Sequence, residues 1–285
     1  MYISEIFKSK KQVLSFEVFP PKKTSPISTI YSTLDSLVEL KPDYISVTYG
    51  ASGSACDNTL EIASKIKNDL KIETLAHLTC VNSSKDEIKT VLQSFKNENI
   101  ENILALRGDI VPDMPPHKDF KYASELTEYI KSCGNFCVAG ACYPEVHPEA
   151  KNEVEDILNL KNKVNAGCEH LVSQLFFDNS LFYKFLERAK IAGINVPIQA
   201  GIMPVVNKKQ IEKMVSLCGA SLPSKFSRIM NKYENNPEAL RDAGIAYAIE
   251  QIVDLLANDV DGIHLYTMNN PYVAKKINDA VGNLL

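Results

Sequence analysis

Residues able to move protons or hold charge recur where apolar runs end. In "SFEVFPPK", Ser15 to Lys22, a carboxylate at Glu17 interrupts a run of leucine, phenylalanine and valine just before Pro20 and Pro21, which must end a strand. "YISVTYG" finishes on Thr48 and Tyr49, "ILALRGD" on Arg107 and Asp109, and His77, Tyr143 and Gln174 hold similar places in later runs. Glu17 and Asp109 could share acid–base work as a carboxylate pair. Each residue alone has a plainer role: a glutamate near a strand end is more often salt-bridged, a lone histidine more often hydrogen-bonded in the fold, and Arg107 could simply pair with Asp109. Recurrence in one phase is what independent accidents do not explain.

The elements that position them are short apolar runs alternating with segments of helical period. Strands are expected near 13–18, 44–48, 72–78, 102–107, 136–142, 169–175, 196–202 and 261–267. Helices are expected near 27–40, 57–69, 85–96, 121–132, 149–165, 179–192, 207–217, 237–258 and 272–283. Strands each followed by a helix, with one additional helix before the last strand, predict a single α/β domain over 1–285, a (β/α)8 TIM barrel. An open doubly wound sheet is the alternative, and no G-x-G-x-x-G follows the first strand. Period-two phase sets Leu14, Phe16 and Val18 against Ser15 and Glu17, Ile45 and Val47 against Ser46 and Thr48, and Leu104 and Leu106 against Ala105, Arg107 and Asp109. Each strand thus has a greasy face for a ring of helices and a second face that turns polar at its C-terminal end. In a barrel those ends meet at one mouth, where active sites are built.

Composition narrows the partners. At 285 residues, 45% hydrophobic and 23% charged, with a net charge of -4, the chain is an ordinary globular type with no basic excess for nucleic acid or an anionic membrane. "MYISEIFKSKKQ" lacks an apolar signal core, and "GIAYAIEQIVDLLA" is too short and too charged to span a bilayer, so a cytoplasmic protein is expected. Seven dispersed cysteines suit reduced thiols. The group "CGNFCVAGAC" spaces its sulfurs by three and then four residues, with Gly140 where a cluster-binding pattern needs cysteine. The five histidines make no H-x-x-x-H or H-E-x-x-H, so no metal is expected. No inward lysine serves a Schiff base and no G-x-S-x-G marks a serine hydrolase. The absence of tryptophan argues against a sugar cleft.

One helix departs from simple amphipathicity. In "HPEAKNEVEDILNLKNKVNAG", Asp156, Asn159 and Lys163 share a face opposite Val154, Ile157, Leu158 and Val164. A polar face is usually just solvated; its functional rival is a face that holds a polar cofactor tail.

Together "SFEVFPPK", "ISVTYGA", "AHLTC", "LALRGD", "YPEVHPEA", "DILNLKNKVNAG", "QLFFD", "GIMPV" and "HLYTMN" resemble the methylenetetrahydrofolate reductases in order and spacing, from Ser15 to about Asn269. The resemblance is to the short bacterial form, a catalytic barrel without the regulatory domain of longer eukaryotic enzymes. It implies FAD-dependent, ping-pong reduction of 5,10-methylenetetrahydrofolate to 5-methyltetrahydrofolate with NADH or NADPH, a place in one-carbon metabolism and methionine biosynthesis, and a homo-oligomer. It makes Glu17 the general acid that helps open the folate's five-membered ring, and sets Asp109 near flavin and folate. It assigns FAD to Thr48, Tyr49, Ala51, His77, Arg107, Gly108, Asp109, Tyr122, Tyr143, His147, Ala150, Asp156, Asn159 and Lys163, and folate to Gln174 and Gln210. Asn270 stands where the family pattern has an arginine, and Asn162 where a basic residue is common. The alternatives are a flavin-free pterin-binding methyltransferase barrel and a reductase-like subunit fed by a protein electron donor.

Overall fold

Eight parallel strands close on themselves in sequence order, and the fold is the expected TIM barrel. The computed structural model describes residues 1–21, 25–49, 55–110, 117–207, 212, 215 and 218–285. The strands are β1 (Val13–Val18), β2 (Tyr44–Val47), β3 (Glu73–Thr79), β4 (Asn102–Leu106), β5 (Cys137–Cys142), β6 (Cys168–Ser173), β7 (Ile198–Ile202) and β8 (Gly262–Tyr266). The helices are α1 (Ile3–Ser9), α2 (Ser28–Val38), α3 (Ala55–Ser64, continued by a π turn at Lys65–Asp69), α4 (Lys85–Asn97), α5 (Ala123–Cys133), α6 (Glu153–Asn165), α7 (Asn179–Ile191), α8 (Ser224–Tyr233), α9 (Pro237–Ala257) and α10 (Pro271–Val281). The helix expected at 207–217 lies largely outside the described residues. No helix among the described residues is long and apolar enough to cross a membrane.

Local chemistry sets the element boundaries. Ser84 and Glu87 form a capping box at the start of α4, and Asn152, Asp178 and Asn236 cap α6, α7 and α9 with side-chain oxygens. Outward residues such as Leu14, Phe16, Val18, Ile45 and Ile103 join Leu34, Leu92, Ile130 and Ile252 of the surrounding helices in the main core. Inside, Val13, Tyr44, Leu75, Leu104 and Ala139 pack against Ile3 and Ile6 of α1, which closes the N-terminal end. Neither α1 nor α8 is among the helices expected from the residue pattern.

Register arranges inward side chains in rows. Ser15 of β1 is level with Tyr44 of β2 and His264 of β8, and Glu17 is level with Ser46 and Tyr266. One phase differs from the expectation. In β4, Leu104 belongs to the interior cluster while Ile103 and Ala105 face the helices. Arg107 and Asp109 therefore do not reach the mouth by strand phase: β4 ends at Leu106, and Gly108 at φ +87° turns the chain where a side chain would be strained.

Candidate active site

β1 carries Glu17 to the C-terminal end of the barrel, where the Thr267 hydroxyl donates to the Glu17 carbonyl at 2.6 Å. Its carboxylate lies between two imidazoles: Oε2 is 3.5 Å from His77 Nε2 and 3.5 Å from His264 Nε2. Those distances are long for hydrogen bonds, so the contacts are loose. The Glu17 side chain is 18% exposed, enough to meet a ligand from the mouth while the histidines behind it are buried. Burial pushes the His77 imidazole down to about 4 despite the neighbouring carboxylate, which keeps it neutral near pH 7. Ser46 Oγ lies 2.6 Å from His77 Nε2. Beside Glu17, the Tyr266 hydroxyl donates to the Ser173 carbonyl at 2.7 Å.

A second group gathers where β4, β5 and β6 end. Arg107 makes a two-pronged ion pair with Glu149, at 2.5 and 2.6 Å. The Tyr143 ring meets His147 edge-on at 4.6 Å, and burial raises its phenol while a hydrogen bond to Gln174 opposes that rise. His147 donates its backbone N–H to Asp156 Oδ2 at 3.3 Å. Burial raises the Asp156 carboxyl against the pull of that N–H and of His147 and Lys163. Lys163, further along α6, donates to the Ala141 carbonyl at 2.6 Å. The Ala150 N–H donates to the His147 carbonyl at 2.9 Å, tightening the loop that leads into α6.

The structure thus unites Arg107, Gly108, Asp109, Tyr143, His147, Ala150, Asp156, Lys163 and Gln174 in one sector, with Glu17 and His77 in the adjoining one. Asn159 is exposed on α6 between Asp156 and Lys163. Tyr122 stands apart at the start of α5, about half exposed, with the Lys121 ammonium 5.1 Å over its ring. Thr48 follows β2, its N–H donating to the Val18 carbonyl at 3.0 Å, and Tyr49 packs on the main core. Ala51 and Gln210 lie outside the described residues. Asn270 acts locally, its side chain accepting from the Val273 N–H at 3.3 Å to cap α10.

The donor set fits a long, partly anionic cofactor. Glu149 already fills the planar fork of Arg107 as an anion, the geometry in which a guanidinium grips a phosphate. Val154 and Leu158, on the face of α6 opposite Asp156 and Lys163, are exposed rather than packed into the core. Ser15 and Ser46 share the expected polar face, but His264 and Tyr266 were not expected as neighbours of Glu17, nor Glu149 as the partner of Arg107. A signal existed for the β8 pair, because period two sends Gly262, His264 and Tyr266 to the same face.

A hollow of about 830 Å³ opens at the other end of the barrel, lined by Lys67, Glu73, Glu101 and Asn135 among others. Its Lys67 is held by Glu73 at 2.8 Å, and barrel chemistry belongs to the opposite, C-terminal face.

Comparison with known proteins identifies the family. A family model described as methylenetetrahydrofolate reductase matches residues 2–282. The chain is 36% identical over 269 residues to the 5,10-methylenetetrahydrofolate reductase of Escherichia coli (strain K12), covering 94% of this chain and 90% of that one. It is 35% identical to the methylenetetrahydrofolate reductase (NADH) 1 of Arabidopsis thaliana, spanning about half (48%) of that longer protein. An uncharacterised protein from Clostridium thermocellum, solved with two copies of 5-methyl-5,6,7,8-tetrahydrofolic acid, shares the fold at a TM-score of 0.70 and 16% identity, covering 99% of this chain and 98% of its own. By the family match along nearly its whole length, and by relatives alike across that same length, this chain belongs to the methylenetetrahydrofolate reductase family.

Proposed function

We infer that the chain reduces 5,10-methylenetetrahydrofolate to 5-methyltetrahydrofolate with electrons from NADH or NADPH, using bound FAD. The observation that carries this reading is Glu17: a carboxyl at the mouth of a barrel of this family, backed by two buried imidazoles and partly open to solvent. When bound, the flavin would accept a hydride from the nicotinamide and give one to the folate.

The chain's own residues do the rest. Arg107, Lys163 and His147 would hold the cofactor's phosphates, and Asp156 and Asn159 its hydroxyls. A ring nitrogen of the folate leaves its carbon only when it gains a proton, and Glu17 is the group that supplies it. Gln174, oriented by Tyr143 and by the Leu175 N–H that donates to its Oε1 at 2.9 Å, would contact the folate ring. Asp109, exposed beyond Gly108, adds negative charge close to Arg107 and Tyr143.

The test is Glu17→Gln. Protein carrying this change is expected to retain yellow flavin and to be reduced by NAD(P)H at the wild-type rate, while folate turnover falls by roughly two to four orders of magnitude. Normal folate turnover in the variant would sink the assignment. Wild-type protein without flavin would favour a methyltransferase barrel, and flavin that neither nucleotide reduces would favour a protein electron donor.

A further inference from the structure

A chain of hydrogen bonds inside the barrel ends on Glu17, and the direction of each bond follows from the donors available. The Tyr44 hydroxyl is bonded to Gln199 Oε1, and both residues are fully buried. A carbonyl oxygen only accepts, so Tyr44 donates and the amide nitrogen points away from it. That nitrogen lies 3.1 Å from the Val13 carbonyl, 3.2 Å from Ser15 Oγ and 3.4 Å from the Ile263 carbonyl. The reverse orientation would set oxygen against two carbonyl oxygens, so the Gln199 nitrogen faces Ser15, its two protons shared among these three acceptors. Were His264 Nδ1 protonated it would donate to Ser15 Oγ across their 2.7 Å contact and leave the serine proton only the Ile263 carbonyl at 3.5 Å, so the arrangement that satisfies both groups has Ser15 donating to Nδ1. With Nδ1 accepting, a neutral His264 carries its proton on Nε2. Nε2 is buried, has no hydrogen-bond partner among the described residues, and lies 3.5 Å from Glu17 Oε2.

We propose that His264 is a positioning residue for the acid: its Nε2–H, oriented by the Tyr44–Gln199–Ser15 chain, faces Glu17 Oε2 at 3.5 Å, ready to close on that oxygen, and leaves the transferable proton on Oε1. The inference rests on the reductase reading, in which Glu17 protonates the folate ring nitrogen. In that step the Oε1–H bond breaks, an N–H bond forms on the substrate, and the negative charge stays on the carboxylate. The His264 contact then becomes charge-assisted and tightens, so it favours the product of proton transfer over its reactant. His77 Nε2 also lies 3.5 Å from that oxygen but is engaged by Ser46 Oγ at 2.6 Å, which leaves His264 as the histidine free to act on Glu17.

Besides His264, four titratable groups stand near Glu17. From β3, His77 is held neutral by burial, and His170 on β6 deeper in the barrel is likewise pushed down, to about 3. From β2 and β8, the Tyr44 and Tyr266 phenols are raised above their ordinary range by burial. These four do not change charge between about pH 5 and pH 9.

Ser15→Ala tests the proposal with the flavin-loaded protein. Flavin content and the rate of flavin reduction by NAD(P)H should match wild type, while kcat for folate reduction drops roughly tenfold at unchanged KM. Losing a donor to the carboxylate disfavours its charged form, so the alkaline limb of the folate profile should move to higher pH. His264→Leu should give the same shift; if that variant fails to bind flavin, Ser15→Ala still decides. A Ser15→Ala profile that overlays wild type overturns the proposal and leaves the reductase reading standing. Loss of flavin in Ser15→Ala overturns it too, by assigning the chain to holding the barrel together. Wild-type flavin that NAD(P)H reduces but methylenetetrahydrofolate does not reoxidise overturns the reductase reading and this inference with it.

Discussion

Gly140 and Lys163 are matched in shape: the lysine's alkyl chain crosses β5 where the glycine has no side chain, and its Nζ reaches the Ala141 carbonyl at 2.6 Å. A Cβ at 140 would lie 2.8 Å from Lys163 Cδ, 3.0 Å from Cys168 Sγ and 3.2 Å from Leu171 Cδ2. The lysine can swing aside, but the other two neighbours are buried and cannot. Gly140→Ala should therefore destabilise the fold by about 1–3 kcal/mol, measured as the urea midpoint, and release flavin faster on dilution because Lys163 is displaced. Wild-type midpoint and retention would show that the site has slack.

The Arg107–Glu149 pair is predicted to matter more for ligand than for fold. Glu149 is 58% exposed, so screening limits the pair to under about 1 kcal/mol of stability despite its short contacts. Glu149→Gln leaves the guanidinium fork free for an anion, and flavin titration should show tighter binding than wild type. Weaker binding would mean that Glu149 orients Arg107 rather than competing for it.

Buried histidines predict a pH dependence of stability. Burial lowers His77 to about 4 and His170 to about 3, from an ordinary value near 6.5. The unfolded chain binds these protons first as pH falls, so stability is full above about pH 6.5 and declines towards pH 4, by on the order of 3 kcal/mol for each histidine. His170 also has both ring nitrogens buried without a partner among the described residues. His170→Leu should flatten the acid limb of the urea midpoint and gain about 1 kcal/mol at pH 7. A limb as steep as wild type in that variant would point to carboxylates instead.

Asn270 offers a test of a departure from the family pattern. Because it caps α10, Asn270→Ala should lower stability by about 1 kcal/mol, seen in thermal unfolding. An unchanged Tm would free the residue for a ligand role that the cap geometry does not suggest.

The eight strands, their order and most helix boundaries were legible because apolar runs and capping residues are local signals. Helix α1 was not: "ISEIFKS" is short and half polar, and Ile3 and Ile6 owe their burial to the barrel floor they close. Helix α8 buries Phe226 and Met230 against Phe177, Met203 and Leu240, partners distant in sequence. The face of β4 was misassigned for a similar reason: "ILAL" is apolar on both sides, and closure alone decides which side meets helices.

From the residues alone came a parallel α/β barrel with polar strand ends, the family resemblance and the place of Glu17 at the barrel mouth, since each is written in contiguous motifs. That His264 stands behind Glu17, that Glu149 rather than Asp109 grips Arg107 and that Asn270 is a cap were decided in three dimensions. Pairing of the first strand with the last fixes which inward side chains share a row, and no local pattern encodes the register of that closure.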